Sequence, residues 1–253
     1  MRHWTDDLNL DPHTPLIQNT QLATIHPIPS YLQNEYWWAY IHPSAVNLFE
    51  REWLINLILF GNYSKLRNLA LDQLSHEHSL ISGSTLQIAC VYGNLTAKIL
   101  ERLEPDALLK VVDILPIQLE NLSRKIGLDA RVSLECSDSS NLPYADASQD
   151  QALLFFLLHE QPEATRRQTL REAFRVVKTG GKVVIVDYHK PQAFHPFKPL
   201  LRQIFKHLEP FAMDLWNHSI EDFLPIDKLF KSVNRMTIFG GLYQILVLEC
   251  LAP

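Results

Sequence analysis

Five short stretches carry residue types that can do chemistry. Each follows an apolar run that reads as a strand. The first is Leu86-Gln87-Ile88-Ala89-Cys90-Val91-Tyr92-Gly93-Asn94-Leu95-Thr96. A strand followed by a tight loop and a helix opening at Asn94 is how α/β proteins cradle a nucleotide-like ligand, usually with glycines that let the backbone approach it closely. Here Gly93 alone remains of such a series, and Val91-Tyr92 put bulk at the mouth.

Asp113 ends the second strand, 20 residues beyond Gly93. A carboxylate there can accept from both ribose hydroxyls of an adenosine ligand; the alternative is a solvated loop acid. Asp138, within Cys136-Ser137-Asp138-Ser139-Ser140, can accept from an adenine amino group or simply close an Asx turn. His159-Glu160 follows the fourth strand and offers a general base or a metal ligand, or a loop histidine that caps the next helix. Asp187-Tyr188-His189 occupies the same rim. Its acid and imidazole, two apart on a strand end, point to one side and can chelate a divalent ion, although an ion-paired loop weighs somewhat more. Arg166, Arg167, Arg171 and Arg175 on one helix read as a solvated face.

The positioning elements follow from periodicity. Residues 85–90, 109–113, 132–136, 151–158 and 182–187 read as strands; residues 95–103, 116–126 and 162–177 read as the helices between them, with Pro116 placed for a first turn. Lys178-Thr179-Gly180-Gly181 stops the last of these helices. Two final strands, 235–239 and 243–251, joined at Gly240-Gly241, read as a hairpin. The expected fold is α/β: a doubly wound, mostly parallel seven-stranded sheet with an antiparallel C-terminal hairpin. Ligands bind such sheets at the carboxyl ends of the strands.

Around this core, residues 1–30 read as an extended arm and residues 31–80 as an aromatic-rich helical region. Residues 81–253 form the α/β domain, with a helical cap inserted at about 190–225. Val46, Phe49, Trp53, Leu57 and Phe60 recur at helical spacing. That stripe suits core packing slightly better than a lid or membrane-interface helix.

The chain has 253 residues, 47% apolar content and net charge −5, enough for a buried core and without a basic stripe for nucleic acid. Three cysteines without metal spacing suit a reducing compartment. No apolar run reaches the roughly 18 residues of a membrane span and no signal-peptide core is present, so the expectation is cytoplasmic, with peripheral contact at the inner membrane face open.

Leu86–Thr96, Val111-Val112-Asp113, Ser137-Asp138 with Leu142-Pro143, and Arg175–Gly181 together resemble the class I S-adenosylmethionine-dependent methyltransferases, and within them those of quinone biosynthesis. The family's first motif carries an acid and three alternate glycines; here those positions read Gln87, Ala89, Val91 and Gly93. The runs Ala89–Gly93, Phe155–Pro162 and Tyr36–Tyr40 are similar to the rhodoquinone-biosynthesis branch. This resemblance implies S-adenosylmethionine held by Gln87, Ala89, Val91, Gly93, Asp113, Asp138 and Ser139. It implies ubiquinone as partner and replacement of a ring methoxy group by the cofactor's amino group, with Mn²⁺ as helper, for which Asp187 and His189 are the candidate ligands. Tyr92 and His159 are the candidates to protonate the leaving methoxide. A conventional quinone or small-molecule methyltransferase and a non-catalytic relative of the fold are the alternatives. A dinucleotide oxidoreductase lacks its glycine fingerprint here.

Overall fold

The least polar runs of the chain lie in the middle of the sheet. The computed structural model describes residues 27–75, 80–227 and 229–252; most of the expected N-terminal arm lies outside them. Seven strands, β1 (Ser84–Ile88), β2 (Leu108–Asp113), β3 (Val132–Cys136), β4 (Gln149–Phe155), β5 (Val177–Tyr188), β6 (Phe230–Ile238) and β7 (Tyr243–Cys250), form one sheet in the order β3-β2-β1-β4-β5-β7-β6. The first five run parallel, and β7 is antiparallel to both β5 and β6. This is the doubly wound, mostly parallel seven-stranded sheet with an antiparallel C-terminal hairpin anticipated from the strand–helix alternation. Central strands are buried on both faces, which explains why Ala152–Phe155 and Val183–Val186 have no polar alternation.

Helices α4 (Tyr63–Leu74), α5 (Leu95–Arg102), α6 (Pro116–Ile126) and α7 (Glu163–Val176) flank the sheet. Strand order reverses between β1 and β4, so the loops leaving these strands open a crevice at the carboxyl edge. The glycines thought to stop α7 lie inside β5 instead. A Cβ on Gly181 would sit 2.4 Å from the Asp150 carbonyl oxygen, so glycine is what lets β5 pass the irregular start of β4.

Two further groups of elements cover the carboxyl edge. Before the sheet come α1 (Ser30–Glu35), a π-helical turn (Trp37–Ile41), α2 (Pro43–Phe49) and α3 (Glu52–Ile58). Between β5 and β6 come α8 (Lys198–Leu208), α9 (Asp214–Asn217) and a 3₁₀ turn, Ile220–Phe223. The aromatic stripe does not form one helix. Arg51 is extended (φ −70°, ψ 114°) and separates α2 from α3, so Val46 is buried while Trp53 and Leu57 are 60% and 65% exposed. The core-packing expectation therefore fails for α3, which buries none of its residues.

The arginine cluster also departs from expectation. Arg166 is fully buried. It donates to the carbonyls of Leu158, Gln161 and Phe211 and pairs with Asp214 at 3.3 Å, tying the β4–α7 loop to the cap.

Candidate active site

A partly open cleft lies at the switch point. Ala89 and Cys90 after β1, Asp113 at the end of β2, Ser137, Asp138 and Ser139 after β3, and Leu157, Glu160 and Gln161 after β4 line it; Tyr31, Leu32 and Tyr40 close it from the N-terminal side.

Asp113 is buried at the back of this cleft. Its carboxylate accepts the Cys90 N–H at 2.7 Å and the Leu115 N–H at 2.8 Å, which fixes both oxygens. Burial outweighs these donors and raises its pKa to about 6. Asp138 closes an Asx turn onto Ser140 and lines the cleft. Ser139 is held by Thr169 and Gln161.

The first loop is built differently from a glycine-rich cradle. Gln87 is fully buried; its amide donates to the Ala89 carbonyl and its oxygen accepts from the Thr96 hydroxyl. Ala89 sits at φ +75°, a conformation that suits glycine and costs an L-residue about 1–2 kcal/mol. Ala89→Gly is accordingly expected to raise unfolding stability by about 1 kcal/mol in urea titration. Val91 packs against the core. Gly93 (φ +84°) is required by Tyr63, whose hydroxyl would lie 2.6 Å from an added Cβ. The Gly93 N–H goes to Glu50, and Lys125 bonds both Glu50 and the Gly93 carbonyl. Among the loop positions carried over from the resemblance, Ala89 reaches the cleft, whereas Gln87, Val91 and Gly93 act from behind it.

Tyr92 is not placed for proton transfer. Its ring stacks between Tyr40 and Phe49, and its hydroxyl donates to the Ala39 carbonyl and accepts from Gln118. It fastens the N-terminal turn to the loop.

His159 is buried, with Nδ1 2.9 Å from Asp187 Oδ1 and Nε2 3.6 Å from Glu209 of the cap and 3.8 Å from Glu160. Burial alone would lower its pKa, but the charge of Asp187 and their hydrogen bond, with Glu209 and Glu160 beyond, raise it to about 9. The imidazole is therefore a cation at neutral pH, suited to donating a proton and unsuited to the role of base. Burial raises Glu160 and Glu209 above the ordinary carboxylate range, with the His159 charge opposing it. Tyr40 donates to Glu160. Glu160 thus connects the cleft to the His159–Asp187 pair.

The chelate anticipated from Asp187 and His189 is not formed. Asp187 accepts the N–H groups of Leu158, His159 and Tyr188 besides the His159 ring, which occupies both its oxygens. His189 bonds the Gly241 carbonyl. Among the described residues no group of three His, Cys, Asp or Glu side chains is arranged to hold a metal ion, so this donor set does not fit Mn²⁺.

The sequence pointed to the strand ends but not to Tyr31, Tyr40, Gln118 or Gln161. An aromatic run ahead of the first strand was the one available signal for the two tyrosines.

A model of the ubiE/COQ5 methyltransferase family matches residues 51–242. The chain is similar to a demethylmenaquinone methyltransferase of Lactobacillus johnsonii, 28% identical over 171 residues that cover 66% of this chain and 67% of that one. It is also similar to the ubiquinone/menaquinone biosynthesis C-methyltransferase UbiE of Geotalea uraniireducens, 25% identical over 218 residues, or 78% and 90% of the two chains. Among solved structures, a SAM-dependent methyltransferase from Aquifex aeolicus superposes with a TM-score of 0.53 at 14% identity, covering 83% of this chain and 99% of that one; that likeness concerns the fold alone.

Proposed function

Because the chain belongs to the ubiE/COQ5 methyltransferase family, we propose that it is an S-adenosylmethionine-dependent transferase acting on the ring of a lipid quinone. We propose further that the group transferred is the cofactor's amino group, replacing a methoxy group of ubiquinone to yield rhodoquinone. The donor set fits an adenosyl ligand: paired acceptor oxygens at Asp113, a second carboxylate at Asp138, and an apolar lining from Ala89, Leu115 and Leu157. S-adenosylmethionine would bring an amino group and a sulfonium methyl to the cleft.

The observation that carries the amino-transfer reading is Gln87. An acid in the first motif would favour the protonated, non-nucleophilic ammonium of the ligand, because a nearby opposite charge stabilises it. Gln87 is neutral and both ends of its amide are engaged. The amine then loses its proton more readily. His159, held as an imidazolium by Asp187, would supply the proton that a departing methoxide needs, through Glu160 at the cleft wall; the nitrogen, now bonded to the ring, would leave the donor by cleavage of its Cα–N bond with loss of a Cβ proton, giving the aminoquinone and an α,β-unsaturated donor acid.

Conventional C-methylation is the second reading, favoured by the activity that the relatives' names print. Purified protein, S-adenosylmethionine and a short-tailed ubiquinone separate the two by the mass of the quinone product. An aminoquinone supports the proposal; S-adenosylhomocysteine with a methylated acceptor overturns it. Gln87→Glu is expected to keep ligand binding and lower amine transfer by roughly tenfold, the effect of about one pKa unit on the reacting amine; undiminished transfer would count against the role of Gln87.

Ubiquinone's tail stays in the bilayer, so the proposal places the enzyme at the inner membrane face. Among the described residues no helix is long and apolar enough to cross a membrane.

A further inference from the structure

Helix α3 has the sequence Glu52-Trp-Leu-Ile-Asn-Leu-Ile58 and buries none of its residues. Trp53, Leu57 and Ile58 face outward. Such a face is too apolar to be explained as an ordinary solvated surface. At its C-terminal end Phe60 meets Phe197 at 4.8 Å, the residue that opens α8. On the α8 side Phe194 is 99% exposed, and Phe197, Leu200 and Leu208 are also exposed. The two apolar faces therefore adjoin at the Phe60–Phe197 pair.

Charge distinguishes what could cover them. The chain carries a net charge of −5, yet α8 contains Lys198, Arg202, Lys206 and His207 and no acid. Among the described residues Lys198, Arg202 and Lys206 make no ion pair. A second copy related by a twofold would bring these cations together. An anionic lipid surface takes both features: apolar side chains enter the acyl boundary, and the long cationic stems reach phosphate groups.

Position agrees. Phe197 stacks on Phe239, Phe239 on Tyr243 and Tyr243 on Tyr188, which packs against His159. Aromatic rings thus lead from the exposed patch to the proton-donating residue, all on the carboxyl rim of the sheet.

We propose that α3 and the Phe194–Leu208 segment form one surface that docks on an anionic bilayer and brings the active-site rim to the headgroup layer. This deepens the reading of a membrane-borne quinone substrate, but its test is independent of turnover. The full chain is sedimented with vesicles of phosphatidylcholine alone and of phosphatidylcholine mixed with phosphatidylglycerol, at low and high salt. Binding to the anionic vesicles that weakens with salt is expected. Trp53→Ser combined with Leu57→Ser should reduce partitioning by about tenfold or more. Lys198→Gln and Arg202→Gln should each reduce it about fivefold. All these variants should turn over a short-tailed quinone in detergent at the unaltered rate.

Absence of vesicle binding by the unsubstituted protein, or variants that partition equally well, would overturn the proposal. So would a concentration-dependent dimer that the same substitutions dissolve, which would assign the face to a second copy. Salt-sensitive vesicle binding without any turnover would leave the surface standing and count against the functional reading instead.

Discussion

Asp113→Ala is expected to weaken S-adenosylmethionine binding by about two orders of magnitude at neutral pH. Two hydrogen bonds from ribose hydroxyls to a buried carboxylate are each worth roughly 1.5–3 kcal/mol, and the site offers no other paired acceptor in that place. The carboxylate's pKa, raised by burial to about 6, gives the effect a pH signature. Ribose hydroxyls donate, so the ligand needs the ionised form. Affinity should be flat above pH 7 and fall about tenfold per unit below pH 6, as calorimetry with S-adenosylmethionine across pH 4.5–8 would read. In Asp113→Ala that dependence should vanish together with the affinity. The linkage to folding has the opposite sense. A carboxyl whose folded pKa lies above its unfolded one stabilises the protein when protonated, and this contribution is lost as pH rises from about 4 through about 6. The ligand-free protein should therefore be less stable at pH 7 than Asp113 alone would allow at pH 5, and the bound ligand should offset part of the difference. Affinity indifferent to the Asp113→Ala change would remove the adenosyl ligand from this cleft.

Why Asp113 was legible while its neighbours were not is a matter of which forces leave a local trace. A parallel sheet buried on both faces writes continuous apolar runs, and a run that ends in Asp113 or Cys136-Ser137-Asp138 marks a carboxyl edge directly. The mostly parallel sheet and its antiparallel C-terminal hairpin followed from the same runs and the Gly240-Gly241 turn; the order of the strands did not. Side-chain partners far apart in sequence leave no such trace. Tyr40 reaches Glu160 across 120 residues, and nothing near either residue announces it. The α2–α3 break was invisible for another reason: Arg51 changes direction without disturbing the spacing of Val46, Phe49, Trp53 and Leu57, so one stripe became two faces with opposite fates. Arg166 shares its helix with three arginines that salt-bridge near the surface. Its burial comes from the carbonyls that the β4–α7 loop and the cap aim at it, a property of the loops and not of the helix. Tyr92 lies on the first loop and Gln87 in β1 just before it, but what they do there depends on Gln118, Ala39 and Thr96, which only the folded chain assembles.

His159→Gln is expected to lower turnover by roughly 10²–10⁴-fold, the range for removing a positioned proton donor, with cofactor affinity changed only slightly because His159 does not line the cleft. The rate of the unsubstituted enzyme should fall as pH rises through about 9, where the imidazolium loses its proton. Asp187 orients the ring through Nδ1 at 2.9 Å and is the largest contribution raising its pKa. Asp187→Asn should therefore move the alkaline limb down by one or more pH units, a displacement that a merely structural loss would not produce. Folding carries the same titration. An imidazole whose folded pKa lies above its unfolded value adds stability that is fully present below about 6.5 and is lost as pH climbs through about 9. Urea unfolding at pH 6, 8 and 10 should show this decline in the unsubstituted protein and a flatter profile in His159→Gln. The sign separates the possible roles: a rate that rises through pH 9 would make His159 a base, and the proton donor would then have to be sought in Glu160, whose burial holds its proton at neutral pH.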